Sequence, residues 1–227
     1  KLKNGKKFIE VCRKSKKPIF VIKAGSSKVG SKAAVSHTGS LATDYAIYKG
    51  AFRQAKVTLC ESLEEAFSLA SKKDLIPKKI GSLSFPCKER VFLITNAGGA
   101  GALAADYLSN AGFTVERLPD TKNPWDILGT ALAAKYGEAI TQINKNKTAF
   151  DRIGIIVTPQ SMTEIELTAK AIIEAKKNSK PIFAIFLGGK RMNVAQQALK
   201  NAEILCYTTL EEFRRDIGTC NLKNDAV

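Results

Sequence analysis

Two stretches of the 227-residue sequence carry groups able to do chemistry. The first, AAVSHTGSLA at 33–42, holds the only histidine in the chain, His37, between Ser36 and Thr38 and just ahead of Gly39. An imidazole changes charge near neutral pH, which makes His37 a candidate for catalysis. Isolation by itself favours the plainer role of a surface or capping residue. In the second stretch, Asn96-Ala97-Gly98-Gly99-Ala100-Gly101 joins an apolar run to a helical pattern. At such a junction the free N–H groups of the first helical turn and the positive end of its dipole point at an anion. A tight turn with close helix packing would use the same glycines.

The elements that must position these groups alternate along the chain. Apolar strand patterns occupy 18–25 (PIFVIKAG), 90–99 (RVFLITNAGG), 113–118 (FTVERL), 152–159 (RIGIIVTP) and 180–189 (KPIFAIFLGG), with weaker ones in KVTLC and EILCY. Helical patterns lie between them, among them GALAADYLSNAG and TEIELTAKAIIEAKKNSK, the latter opened by the capping pair Thr163 and Glu166. Continuous apolar strands separated by helices predict parallel sheets covered on both faces. Ligands gather at the carboxyl ends of such strands, where the glycine-bearing loops fall.

The sequence also repeats itself. RKSKKPIFVIKAGSS matches KKNSKPIFAIFLGGK, and ESLEEAFSLA matches TTLEEFRRDI, so Lys17 pairs with Lys180 and Leu63 with Leu210. The interval between these anchors is 46 residues in the first copy and 30 in the second. SHTG falls in the longer interval, which predicts an exposed loop added where ligands bind. In the second copy the helix from Thr163 to Lys177 follows a buried strand, whereas its counterpart, Lys6 to Arg13, begins almost at residue 1. The expected domains are therefore an N-terminally truncated sheet at 1–73, a linker at 74–89 containing Pro, Gly and Ser, and a second sheet domain at 90–227.

Composition excludes several classes. With 44% hydrophobic and 25% charged residues the chain is able to bury a core, which excludes a disordered chain. A net charge of +15 raises the question of nucleic acid, yet the lysines come in scattered pairs without a recognition helix or an aromatic-studded basic strand. Five widely spaced cysteines with no CxxC pair argue against a disulfide framework and a zinc site. The absence of a long apolar run predicts a soluble, cytoplasmic protein that does not enter a membrane.

Taken in order, SHTGSLA, ITNAGGAGALAADYL, NPWDILG, VTPQSMT and FLGG resemble the NDP-forming acyl-CoA synthetases, the ADP-forming acetate–CoA ligases related to succinyl-CoA synthetase. The resemblance runs from about residue 4 to residue 215 and implies an α/β protein of two flavodoxin-like parallel-sheet domains, the first truncated. It implies part of an acid–thiol ligase converting acyl-CoA, ADP and phosphate to the acid, ATP and CoA through an acyl phosphate and a phosphohistidine, here His37. A neutral imidazole is a competent nucleophile, and small neighbours let a phosphate approach. Ser36, Thr38, Gly39, Asn96, Ala97, Gly98, Gly99 and Ala100 would bind the phosphoryl group, although capping explains the two hydroxyls as well.

The resemblance further implies CoA or acyl-CoA, phosphate, and ADP or ATP with Mg on a separate ATP-grasp domain or subunit. No metal would be bound by this chain, an upstream CoA-binding Rossmann domain would complete the enzyme, and the assembly would be oligomeric. Asn123, Pro124 and Asp126 match the family's NPxD element, with Trp125 where a smaller residue is usual. Two other readings fit the residues: a relative on the same scaffold serving CoA-linked lysine acyltransfer or its regulation, and a basic module binding anions or nucleic acid.

Overall fold

The computed structural model describes residues 4–38, 44–71 and 89–218, and for Ser36, His37, Thr38 and Lys147 only the course of the backbone. The N-terminal unit runs α1 (Gly5–Lys14), β1 (Phe20–Ile22), α2 (Lys28–Thr38), α3 (Tyr45–Gln54), β2 (Thr58–Cys60) and α4 (Leu63–Ala70). The C-terminal unit runs β3 (Val91–Thr95), α5 (Gly98–Asn110), β4 (Trp125–Asp126), α6 (Ala133–Asn144), β5 (Arg152–Val157), α7 (Ile165–Lys176), β6 (Ile182–Phe186), α8 (Asn193–Asn201), β7 (Leu205–Tyr207) and α9 (Leu210–Gly218). The expected linker at 74–89 lies outside the described residues apart from Glu89.

In the C-terminal unit five parallel strands lie in the order β4-β3-β5-β6-β7, the flavodoxin-like arrangement. Each face of this sheet is buried. Phe92, Ile94, Ile153, Ile155, Ala184 and Phe186 meet α6, α7 and α8 on one side. Val91, Leu93, Ile156, Phe183 and Ile185 meet α5 and α9 on the other. Burial on both faces explains why these strands read as continuous apolar runs rather than alternating ones. Gly154 leaves room in the sheet, since a Cβ there would run into the Phe183 ring and Leu93.

The internal repeat has a structural counterpart. In the N-terminal pair Phe20 lies opposite Thr58 and Ile22 opposite Cys60; in the C-terminal pair Phe183 lies opposite Leu205 and Ile185 opposite Tyr207. These are the registers that the matches Lys17–Lys180 and Leu63–Leu210 require. The helix starts correspond too. Ser62 Oγ accepts from Glu65 N at 3.1 Å while the Glu65 carboxylate accepts from Glu61 N at 2.6 Å. Thr209 Oγ1 accepts from Glu212 N at 3.0 Å while Glu212 accepts from Thr208 N at 2.7 Å. Both resemble capping boxes, with the carboxylate returning to the N–H one residue ahead of the cap. The β1 residues are only half-buried, unlike those of β6.

Three local expectations are corrected. Residues 113–118 make no strand: a single bridge ties Arg90 to Thr114, and β4 takes the edge position instead. Between them the Asn123 side chain stands in for a peptide group, accepting from Leu93 N at 2.9 Å and donating to Val91 O at 2.8 Å and Glu116 O at 2.9 Å. The edge of β3 is thus satisfied piecewise, and FTVERL need not extend along it. Thr163 and Glu166 form no box, because α7 starts later, at Ile165, with Glu164 at its N-cap position and no side-chain cap. Finally, Ser36, His37 and Thr38 belong to the last turn of α2 rather than to a loop.

Candidate functional site

The β3–α5 junction is built from the strand outward. Thr95 Oγ1 accepts from Ala97 N at 3.0 Å and donates to Ala97 O at 3.1 Å, folding the chain back at the strand end. Gly101 has no side chain because a Cβ would press on Thr95 Cγ2 at 2.8 Å and lie 3.4 Å from Pro124. Helix α5 therefore starts close against the strand, without a side-chain cap at Ala97. The N–H groups of Gly98, Gly99 and Ala100 form its first turn and have no carbonyl of their own helix to bond.

These placements divide the predicted phosphate-binding residues. Asn96 is 2% exposed, and its amide is spent on the β5–α7 loop. It accepts from Thr158 N at 2.9 Å and donates to Thr158 O at 2.8 Å and Thr163 Oγ1 at 3.2 Å. Ala97 N is already bonded to Thr95. Asn96 and Ala97 thus shape the junction, and the donors left without an acceptor in their own helix narrow to Gly98, buried, and to Gly99 and Ala100. Of the other predicted residues, Ser36, His37 and Thr38 are placed by backbone alone, and Gly39 lies outside the described residues.

Helices α2 and α5 pack against each other in opposite directions. Asn110 near the end of α5 donates to Ser26 Oγ at 3.4 Å, ahead of the start of α2. Farther along, Gly30 of α2 abuts Asp106 of α5, and Ala33 of α2 shares a cleft of about 390 Å³ with Gly98 at the start of α5. Thr95, Lys122, Trp125 and Asp126 also line that cleft. At 1.5 Å per residue, moving seven residues from Gly30 to position 37 carries α2 to about the level of Gly99. The backbone of the SHT segment is thereby brought to the open end of α5.

Sequence reasoning missed the group that fixes this packing. Asp106, 2% exposed, accepts from Gly25 N at 2.6 Å, Ser26 N at 3.1 Å, Ser27 N at 2.8 Å and Ser27 Oγ at 2.7 Å. It caps α2 from a different helix, so the positive end of α2 is filled by a built-in carboxylate, while α5 starts without a side-chain cap. Beside it, burial lowers the affinity of the Lys23 amine for its proton and Asp106 opposes that shift. Lys23 Nζ bonds Ala24 O and lies 4.9 Å from the centroid of the Tyr48 ring. A signal was available in the sequence: an aspartate inside the apolar helix ALAADYL has to find several donors if buried.

Residues 1–72 match the family described as "Succinyl-CoA ligase like flavodoxin domain". The chain is 34% identical over 233 residues to the alpha subunit of Acetate–CoA ligase [ADP-forming] II of Pyrococcus furiosus, an alignment covering 93% of this chain and 49% of that subunit. It is 35% identical over 232 residues to Acetate–CoA ligase [ADP-forming] of Methanocaldococcus jannaschii, covering 91% of this chain and 31% of the relative. Among solved structures, an acetyl-coenzyme A synthetase 1 from Ca. Korarchaeum cryptofilum in complex with phosphate and ADP matches 100% of this chain and 53% of its own. That match has a TM-score of 0.51 at 28% identity. The chain spans about half the length of the first relative and a third of the second.

Proposed function

We infer, from a chain that carries a succinyl-CoA ligase-like flavodoxin domain and resembles ADP-forming acetate–CoA ligases along nearly its whole length, that it is the phosphoryl-carrying part of an ADP-forming acyl-CoA synthetase. The proposed reaction begins when phosphate attacks the thioester carbonyl and the CoA thiolate leaves, giving an acyl phosphate. A His37 ring nitrogen then attacks phosphorus, and the bond from phosphorus to the carboxylate oxygen breaks to release the acid. A terminal oxygen of ADP next attacks the same phosphorus, the P–N bond breaks, and ATP and free imidazole result. CoA-binding and ATP-grasp domains are the partners this scheme needs, with Mg bound on the latter.

The observation that carries the reading is the antiparallel packing of α2 and α5, which brings the SHT segment to the level of the Gly98–Ala100 N–H groups. Phosphoryl transfer gains most from fixed donors directed at the charge on the equatorial oxygens, and three N–H groups at a helix start supply that with little reorganisation. Small residues around position 37 leave space for the phosphoryl group. The test is labelling of the chain, assembled with its partner domains, from ATP or from phosphate plus acyl-CoA. Label that survives alkali, is lost in mild acid and is absent from His37→Ala is the expected outcome. Full turnover by His37→Ala would remove the reading.

A further inference from the structure

We propose that Asp106 is a positioning residue for phosphoryl transfer at His37, fixing how far α2 is advanced along α5; the proposal rests on the reading above. The carboxylate is buried and bound by four donors, all contributed by the turn that opens α2. Ser27 Oγ, while donating to Asp106, also accepts from Gly30 N at 2.9 Å, so the first turn of α2 is tied to the same point. Gly30 has no side chain where Asp106 stands, and a Cβ there would collide with the carboxylate. Two constraints therefore act at one place: donors that must meet Asp106, and a missing side chain that lets the helices close on it.

A helix is stiff along its axis, so fixing α2 at residues 25–30 also fixes its far end. Position 37 lies seven residues, about 10 Å, from Gly30 along α2, and Gly99 lies seven residues from Asp106 along α5. Any slip of α2 at the cap appears unreduced as a displacement of position 37 from the α5 N–H groups. A displacement of about 1 Å in a transfer geometry costs on the order of a hundredfold in rate. Asp106 thus acts on the reaction through α2, without touching the phosphoryl group. A carboxylate that only stabilised the fold would instead lower every activity of the enzyme in proportion to the folded fraction.

The two roles separate in single-turnover measurements on the chain assembled with its partner domains. Release of CoA thiol from acyl-CoA and phosphate reports acyl phosphate formation, and acid-labile label on the chain reports transfer to His37. For Asp106→Asn, folded by circular dichroism, the rate of labelling should fall about 10- to 100-fold while the rate of thiol release stays at the wild-type value. Where Asp106→Asn does not fold, Ser27→Ala removes one of the four donors and should slow labelling several-fold with the same selectivity, and Ser27→Thr should restore it. Labelling at the wild-type rate in a folded variant, or an equal fall in both half-reactions, overturns the positioning role. Label on His37→Ala is a different failure, which removes the reading of position 37 and this proposal with it.

Discussion

At the scale of single residues, several polar side chains do the work of backbone. Asn123 completes the hydrogen bonds along β3, and Asn96 joins the ends of β3 and β5. Asp106 closes α2. Each is chosen by the donors and acceptors that the fold would otherwise leave buried and unpaired. Asp151 illustrates the electrostatic counterpart. Its hydrogen bonds to the Arg90 guanidinium, at 2.8 and 3.1 Å, hold the carboxyl below its ordinary value of 3.8. A depressed folded-state value stabilises the protein above the unfolded-state value and is lost as pH falls through the folded one. The Tm difference between the protein and Asp151→Asn, measured from pH 7 downward, should therefore shrink below about pH 4. The effect should be small and screened by salt, because the Arg90 and Asp151 side chains are 43% and 36% exposed.

At the scale of elements, helix starts separate what a motif promises from what it delivers. The boxes at Ser62–Glu65 and Thr209–Glu212 occupy equivalent places before α4 and α9 and are made. The similar spacing at Thr163–Glu166 makes none, since Thr163 is drawn into the Asn96 network and accepts from Gln160 N at 3.0 Å. Ser62→Ala and Thr209→Ala should each cost about 0.5–2 kcal/mol in urea unfolding. Glu166→Ala should cost no more than the few tenths due to the helix dipole. A cost for Glu166→Ala equal to the other two would mean that α7 is capped in solution.

At the scale of the whole molecule, the two units meet through α2 on α5, with further ties from Tyr107 OH to Glu61 O at 2.8 Å and from Arg214 to Glu61 at 2.7 Å. The anion site proposed here lies at that meeting, so neither unit holds it alone. The net charge of +15 is spread over scattered lysine pairs, and a diffuse charge attracts polyanions without a defined site. Retention of the chain on heparin should accordingly vanish at modest salt. Acid-labile labelling of the assembled enzyme should persist at that same salt. Salt-sensitive retention on heparin, with no labelling at any salt and no effect of phosphate or acyl-CoA, would favour a basic binding module over the synthetase reading.

Apolar periodicity and motifs short enough to be read along the chain carry the alternation of strands and helices, the parallel sheets, the repeat and the family resemblance, and all of these were legible without the fold. The sequence also located the glycine junction, since backbone N–H groups at a helix start depend on local conformation alone. Only the tertiary structure decided that SHT ends a helix, a pattern of small residues in KVGSKAAVSHT too weakly amphipathic to announce one. Only it decided which neighbours of Gly98 have free donors, since Asn96 and Ala97 are engaged by groups already placed around the junction. And only it revealed Asp106 as the cap of α2, for its donors lie about 80 residues away in sequence. A bond between residues so far apart leaves no periodicity to read; it exists because two helices from different units were brought together.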